Sequence, residues 1–192
     1  LVSWGLITDI NVQPVTSDEL VDPGDLQAVV ANIAITDDGG QDEWFFLKVT
    51  NLKLEEQSKG ISDDAIAKVE LYEDVNKDGV PDSAEWIASE VLDVNSRAPL
   101  NLQQAGVGHF VGKLGEETTT NFLLVIVLNP GKTMRGNQVV FYLSSHAFFF
   151  READRVSAIE DQRRSDGPMV KGIESIVVTA LNDGKPVSFN KK

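Results

Sequence analysis

The sequence predicts an all-β fold, a two-sheet β-sandwich, and three observations carry that expectation. Short apolar or alternating segments rich in Val, Ile and Phe recur along the chain, with the period of strands covered on one or both faces. Turn-forming clusters punctuate them at Asp22-Pro23-Gly24-Asp25, Asp37-Asp38-Gly39-Gly40, Asn129-Pro130-Gly131-Lys132 and Asn182-Asp183-Gly184-Lys185, each placing Gly or Asn where a turn wants positive φ. Helical periodicity is scarce. Roughly nine to eleven strands in a chain of 192 residues are more than one open sheet holds comfortably, so two packed sheets are expected.

The elements follow in order. Residues 1–12 form an apolar, β-capable arm, and residues 9–25 a polar, Pro-containing spacer. Chain ends are usually polar and frayed unless tied down. This arm must therefore dock, either as an ordinary first strand of its own sheet or as a strand added to a neighbour's. In residues 26–36 one face takes Leu26, Ala28, Val30, Asn32, Ala34 and Thr36, the other Gln27, Val29, Ala31, Ile33 and Ile35; both are largely apolar, as in a central strand. Further strands are expected at 44–50, 68–73, 119–128, 137–150 and 174–181. Residues 62–67 and 152–163 are the two short helix candidates, the second equally readable as a solvated loop. The organisation read from this pattern is an arm and spacer over 1–22 and one β-sandwich domain over 23–192.

Composition narrows the function. Thirty acidic against 17 basic residues give a formal charge of −13, a field that repels phosphate backbones and anionic lipid heads and favours calcium or a basic partner. Neither nucleic acid nor a membrane span is expected: the longest apolar run, residues 122–128, has seven residues where a spanning helix needs about 20. The absence of cysteine excludes a disulfide scaffold, thiol catalysis and Cys-ligated zinc. The chain starts at Leu1 rather than Met, as expected of a processed or trimmed product.

One segment carries chemistry. Asp74-Val75-Asn76-Lys77-Asp78-Gly79-Val80-Pro81-Asp82-Ser83-Ala84-Glu85 fits the twelve-residue calcium-loop pattern D-x-[DN]-x-[DN]-G-x5-E. Calcium takes six to eight hard oxygen ligands at about 2.3–2.6 Å. Side chains of Asp74, Asn76 and Asp78 converge as the chain wraps the ion, Gly79 makes the sharp turn, and Val80 contributes its carbonyl. Asp82 binds directly or through water, and Glu85 closes the cage in a bidentate manner. Magnesium, octahedral and shorter-bonded, fits such a cage poorly. An acidic solvated turn is the plainer alternative, but four carboxylates in twelve residues repel one another without a cation. The flanks read as strands rather than the helices of a paired sensor, so the loop is expected to act as a structural clamp rather than a switch.

Residues 46–51 and 67–82, in which a strand ending Leu71-Tyr72 runs into the loop, resemble the immunoglobulin-like β-sandwich modules of prokaryotic cell-surface proteins. The loop is also similar to those of dockerins and thrombospondin type 3 repeats, and residues 118–125 look like a downstream strand of such modules. The resemblance spans roughly residues 23–143. It implies an extracellular, cell-surface setting and a structural or adhesive role.

Other constellations weigh less. His109 and His146 sit in apolar strand-like segments, where a histidine held by its neighbours is the ordinary case, and two lone histidines do not make a zinc site. No G-x-S-x-G elbow is present, and Gly106-Val107-Gly108 lacks the rest of a dinucleotide fingerprint. Acidic pairs at Asp37-Asp38, Asp42-Glu43 and Asp63-Asp64 read mostly as solvated turns in a chain this acidic. Phe45-Phe46 and Phe148-Phe149-Phe150 mark strands buried on both sides or covered by another subunit, since consecutive strand residues point to opposite faces; a carbohydrate-stacking face is the alternative. Arg151, Arg155, Arg163 and Arg164 form a basic cluster that reads first as a solvated loop, with pairing to an acidic patch on another copy as the alternative.

The expectation is a non-catalytic, calcium-stabilised protein of the cell surface, a subunit of a filament, pilus-like fibre or surface layer, with copies of itself as partners. Leu1, Val2, Trp4, Leu6, Ile7, Ile10 and Val12 of the arm are the expected subunit contacts, supplying strand hydrogen bonds and side-chain register to the neighbour. The alternative is a monomeric adhesion module that binds another surface protein or a polysaccharide.

Overall fold

The computed structural model describes residues 6–15, 27–56, 60–62, 65–93, 97–104, 106–129, 138–143, 147–151, 154–155, 165–169, 177–179 and 186–188. The strands are, in order, β1 (Leu6–Pro14), β2 (Gln27–Asp37), β3 (Asp42–Glu56), β4 (Gly60–Ser62), β5 (Ile66–Glu73), β6 (Trp86–Glu90), β7 (Ala98–Asn101) and β8 (His109–Val111). They continue with β9 (Thr118–Leu128), β10 (Gln138–Tyr142), β11 (Phe148–Arg151), β12 (Asp154–Arg155), β13 (Ser165–Met169), β14 (Val177–Thr179) and β15 (Pro186–Ser188).

Two sheets make the sandwich. The first runs β12-β1-β2-β9-β5-β6, antiparallel except for the short parallel β1–β12 pair. The second is organised on β3. Along one edge β3 pairs with β11 and then β10; along the other it meets β8, β7 and β4 in turn, and β13 extends the sheet beyond β10. Asn51, at φ 50°, sits where four residues of β3 (Thr50 to Lys53) span three of β10 (Val140 to Tyr142). Asn tolerates this left-handed conformation better than most residues, and the bulge lets one strand serve both sets of partners.

One apolar cluster joins the sheets. From the first come Ile33, Ile35, Leu71, Phe122, Leu124 and Ile126, and from the second Trp44, Leu47, Val49, Leu100, Phe141 and Phe148. Trp44, fully buried, meets Phe122 edge-on across the sandwich at 5.0 Å and 78°. It stacks on Phe148 at 5.6 Å and Phe150 at 6.1 Å, and its indole N–H donates to the Phe46 carbonyl at 3.0 Å. A buried Trp needs such an acceptor, because an unmet N–H forfeits its hydration.

Several sequence expectations change here. Of the helix expected at 62–67, the described residues are mostly strand: Ser62 ends β4 and Ile66 opens β5, while Asp63 and Asp64 fall outside the described residues. Of 152–163, the described Asp154–Arg155 is strand. The single strand expected at 137–150 divides into β10 and β11, which share one edge of β3. The two faces read for residues 26–36 exchange midway. Ala28 and Val30 point to the core, then Ala31, Ile33 and Ile35 do, because a register shift lies between Val29 and Ala31 against β9. The phenylalanine run is sorted by ordinary alternation: Phe148 and Phe150 face Trp44, and Phe149 lies outside, 37% exposed, against Phe45 and Phe46. The extra residue at this point is Phe45 of β3, which lets both Trp44 and Leu47 face the core.

The arm docks in its own sheet. β1 pairs with β2 from Ile7–Asp37 to Pro14–Ala31, and Ile7, Ile10 and Val12 are buried in the common core. Within one chain these three side chains face its own core. Leu6 lies in the same strand; Leu1, Val2 and Trp4 fall outside the described residues.

On its other face the first sheet carries a smaller cluster of Tyr72, Leu123 and Val125, with Val29 against it. The Tyr72 hydroxyl donates to Glu70 Oε2 at 2.9 Å, which also accepts from the Gln27 amide at 3.0 Å, while Lys68 pairs with Glu70 Oε1 at 2.6 Å. Burial, then the hydrogen bond to Glu70 and its charge, pushes the Tyr72 phenol above its ordinary 10.0.

Two outcomes are expected. Trp44→Ala should cost about 3–5 kcal/mol in denaturant unfolding, the range for removing a buried Trp or Phe; a loss below about 1 kcal/mol would show that the sheets are held elsewhere. Because the folded-state pKa of Tyr72 is raised, its contribution is complete below pH 10 and is lost as pH rises through the folded value. Thermal melts should therefore fall above about pH 10, and Tyr72→Phe should flatten part of that decline.

Candidate functional site

The segment expected to bind calcium connects β5 to its antiparallel neighbour β6. β5 delivers Asp74 at its end, where the Asp74 N–H donates to the Asn121 carbonyl on β9 at 2.8 Å. The chain then turns through two left-handed residues, Lys77 at φ 59° and Gly79 at φ 73°. A Cβ on Gly79 would meet nothing within 4 Å, so glycine is placed there for its φ rather than for room. A 3-10 turn over Ser83–Glu85 follows, capped by the Asp82 side chain through the Ala84 N–H at 2.9 Å, and hands the chain to β6.

The expected ligand residues fold inward on the loop's own backbone. Asp74 Oδ1 and Oδ2 accept from the N–H groups of Asp78 at 3.1 Å and Gly79 at 3.2 Å. Asn76 Oδ1 also accepts from the Asp78 N–H, and its amide donates to Asp78 Oδ2 at 2.9 Å. Asp78 Oδ1 takes the Val80 N–H at 2.8 Å. Glu85 crosses back to the loop's start, where Oε1 accepts from the Val75 N–H at 3.1 Å. Its Oε2 is enclosed and has no hydrogen-bond partner, so one lone-pair-bearing oxygen is withdrawn from water with nothing to replace it, a costly arrangement unless a cation takes it up. Among the described residues no group of three or more carboxylate or imidazole side chains stands ready as a metal centre. Asp74 and Glu85 are brought to the same end of the loop, whereas Asp82 serves as a cap and Val80 lies on the exposed side.

Beside the loop, between the ends of the two sheets, lies a cleft of about 370 Å3. Glu73, Glu85, Trp86, Gln104, His109 and Phe110 are among its lining residues. His109 Nε2 is 2.8 Å from Glu73 Oε2, and the imidazole rests edge-on against Phe122 at 5.8 Å. His109 is thus a strand histidine held by its neighbours, as expected; His146 lies outside the described residues. The cleft wall is fixed by Glu43, only 4% exposed, whose Oε1 accepts from the Gly108 N–H and whose Oε2 pairs with Arg151 Nε at 3.2 Å. A Cβ on Gly108 would stand 2.7 Å from the Trp44 carbonyl oxygen, so only glycine allows this approach.

The acidic pairs read as solvated turns are corrected in three of the described positions. Asp37, Asp42 and Glu43 are buried, and Asp38 alone is exposed. Asp37 Oδ1 accepts from the Gly39 N–H at 2.9 Å, which ties off the turn after β2; Asp63 and Asp64 fall outside the described residues. Acidic residues next to a turn look alike in sequence whether they solvate it or cap it, and Glu43 is distinguished only by a partner 65 residues away.

No family model and no curated protein matches the chain. Among solved structures it is similar to the CupB6 tip adhesin from Pseudomonas aeruginosa, at 10% identity and a TM-score of 0.22 over 85% of this chain and 52% of that one. The chain thus spans about half the length of that protein, and a likeness at this score carries no argument. Among the described residues no helix is long and apolar enough to cross a membrane.

Glu43→Ala should cost about 2–3 kcal/mol, because it strips a buried backbone N–H and a guanidinium of one shared acceptor. Glu43→Gln should recover part of this in equilibrium unfolding. Equal losses in the two variants would assign the effect to the carboxylate charge alone.

Proposed function

We propose that the chain is a non-catalytic, calcium-stabilised β-sandwich module of the cell surface, with the 74–85 loop as its calcium site. The observation that carries the reading is the enclosed, unpartnered Oε2 of Glu85 at the loop's closing position, in a segment with the calcium-loop spacing and a left-handed Gly79. On binding, Asp74, Asn76 and Asp78 exchange their backbone donors for the ion, the Val80 carbonyl and Asp82 complete the shell, and Glu85 closes it. Because the loop joins adjacent strands of one sheet, ligation staples β5 to β6. Free calcium is plentiful outside cells and scarce in cytosol, which supports the extracellular setting, and the −13 charge supports a cationic partner.

Copies of the chain are, in this reading, its own partners. The slot that β1 fills is the slot a neighbour's arm would fill, since the contacts made within one chain are the ones available between two. Among the described residues, β1 has β2 along its length and the two-residue β12 outside it, so exchange breaks few of these outer contacts. An exchange of this kind that does not close on itself propagates as a fibre.

Calcium at 10 to 100 times its dissociation constant should add about 1.4–2.7 kcal/mol, a rise of about 3–10 °C in Tm for a chain of this size. Asp78→Ala should abolish that rise. A wild-type Tm that chelator leaves unchanged would sink the calcium reading. For assembly, the full chain in millimolar calcium should form fibres under negative stain. A version lacking residues 1–12 should not, and should be restored to a stable monomer by a synthetic peptide of residues 1–14; monomers from the full chain at all concentrations would confine the arm to its own sheet.

A further inference from the structure

The cleft beside the loop has a chemistry that the calcium reading leaves unused. Trp86 and Phe110 line it and are 44% and 42% exposed, large rings that a folded chain ordinarily covers. Beneath them Ile87 and Leu102 are buried, giving an apolar floor. At about 370 Å3 the cleft falls in the range of small-molecule sites, which combine aromatic walls with a few placed polar groups.

The polar groups decide what fits. Glu73 Oε2 is engaged by His109, and Glu85 Oε1 is turned onto the Val75 N–H with its second oxygen enclosed, so these two carboxylates are tied to the protein and set an acidic rim. With Nε2 of His109 engaged by Glu73, Nδ1 is the ring's remaining polar atom. The Gln104 amide nitrogen donates to the Ile87 carbonyl at 3.2 Å, which leaves its Oε1 as an acceptor. Exposed rings beside the Gln104 oxygen and the His109 ring nitrogen suit a ligand with an apolar face and hydroxyls, which both donate and accept, along its edge. A pyranose ring has both. A peptide would bring its own carbonyl acceptors against the Gln104 oxygen, and an anion would meet an acidic surface.

We propose that this cleft is a binding site for a short neutral saccharide, one ring stacked on Trp86 and its hydroxyls bonded to His109 and Gln104. The wall is formed before any ligand arrives. Gly108 is pinned by Glu43, His109 by Glu73 and Phe122, so little ordering cost falls on binding. The inference rests on the cleft and not on calcium in the loop, although Glu85 borders both.

The test is an array of neutral and acidic glycans and basic peptides probed with the full chain in millimolar calcium, followed by titration calorimetry with the best neutral glycan. Binding to a neutral glycan is expected, weakened about tenfold or more by Trp86→Ala, the scale of one lost aromatic contact with its burial. Trp86→Phe should keep part of the affinity, and Phe149→Ala, an exposed ring on β11, should leave it unchanged. Circular dichroism and Tm on the same samples separate loss of binding from loss of fold, and an unchanged Tm on adding calcium marks failure of the calcium reading alone. Absence of binding to every neutral glycan, preference for the basic peptides, or full affinity in Trp86→Ala would each overturn the saccharide site.

Discussion

The edge-on contact of Trp44 with Phe122 is the constraint on which the rest of the molecule depends. It is a direct ring contact between the two sheets, made at the residue of β3 where β8 and β11 attach on opposite edges. Trp44 fixes the depth of β3 in the sandwich, and the stacked Phe148 and Phe150 set β11 against it. Phe122 carries the same constraint to the other side, because His109 also leans on its ring. The position of the cleft wall is thus inherited from core packing rather than set by the loops around it.

Much of this was legible in the sequence, and what was not has physical causes. Strand identity follows from period and β-branched content, so β2, β3, β5 and β9 stand where the pattern puts them. The phase of β2 does not follow, because one bulge opposite Val125 and Leu124 reverses which residues face the core. Nothing local marks it, since both faces of that segment are apolar. The split of residues 137–150 is hidden for the same reason: an apolar stretch does not say which partner it pairs with. The calcium-loop spacing was plain, and the turn at Gly79 follows from it; the cleft was not, because its lining comes from three separate stretches of chain.

Buried acidic residues show how composition misleads. With 30 acids the simplest reading spreads them over the surface, yet Asp37 and Glu43 work inside as acceptors for backbone N–H groups at Gly39 and Gly108. Both tie glycine-containing turns at the end of the sandwich, where ladder hydrogen bonds run out and side chains must supply the acceptors. The loop repeats that device at larger scale, with Asp74, Asn76 and Asp78 each taking backbone donors.

The arrangement of the second sheet around β3 governs the order in which the chain can fold. β3 is made early in synthesis, but Phe148 pairs with Leu47 across about a hundred residues, and β10 is almost as distant. Such a topology has high contact order, and the entropy of closing those loops is spent before the pairs form. Until residues 138–151 emerge, one whole edge of β3 is open, with Trp44, Phe45 and Phe46 available to any passing strand. Asp42 and Glu43 precede these rings, and Lys48 follows Leu47, charges that discourage association of an unfinished edge. The nascent chain therefore keeps that edge of β3 open until residues 138–151 have been made.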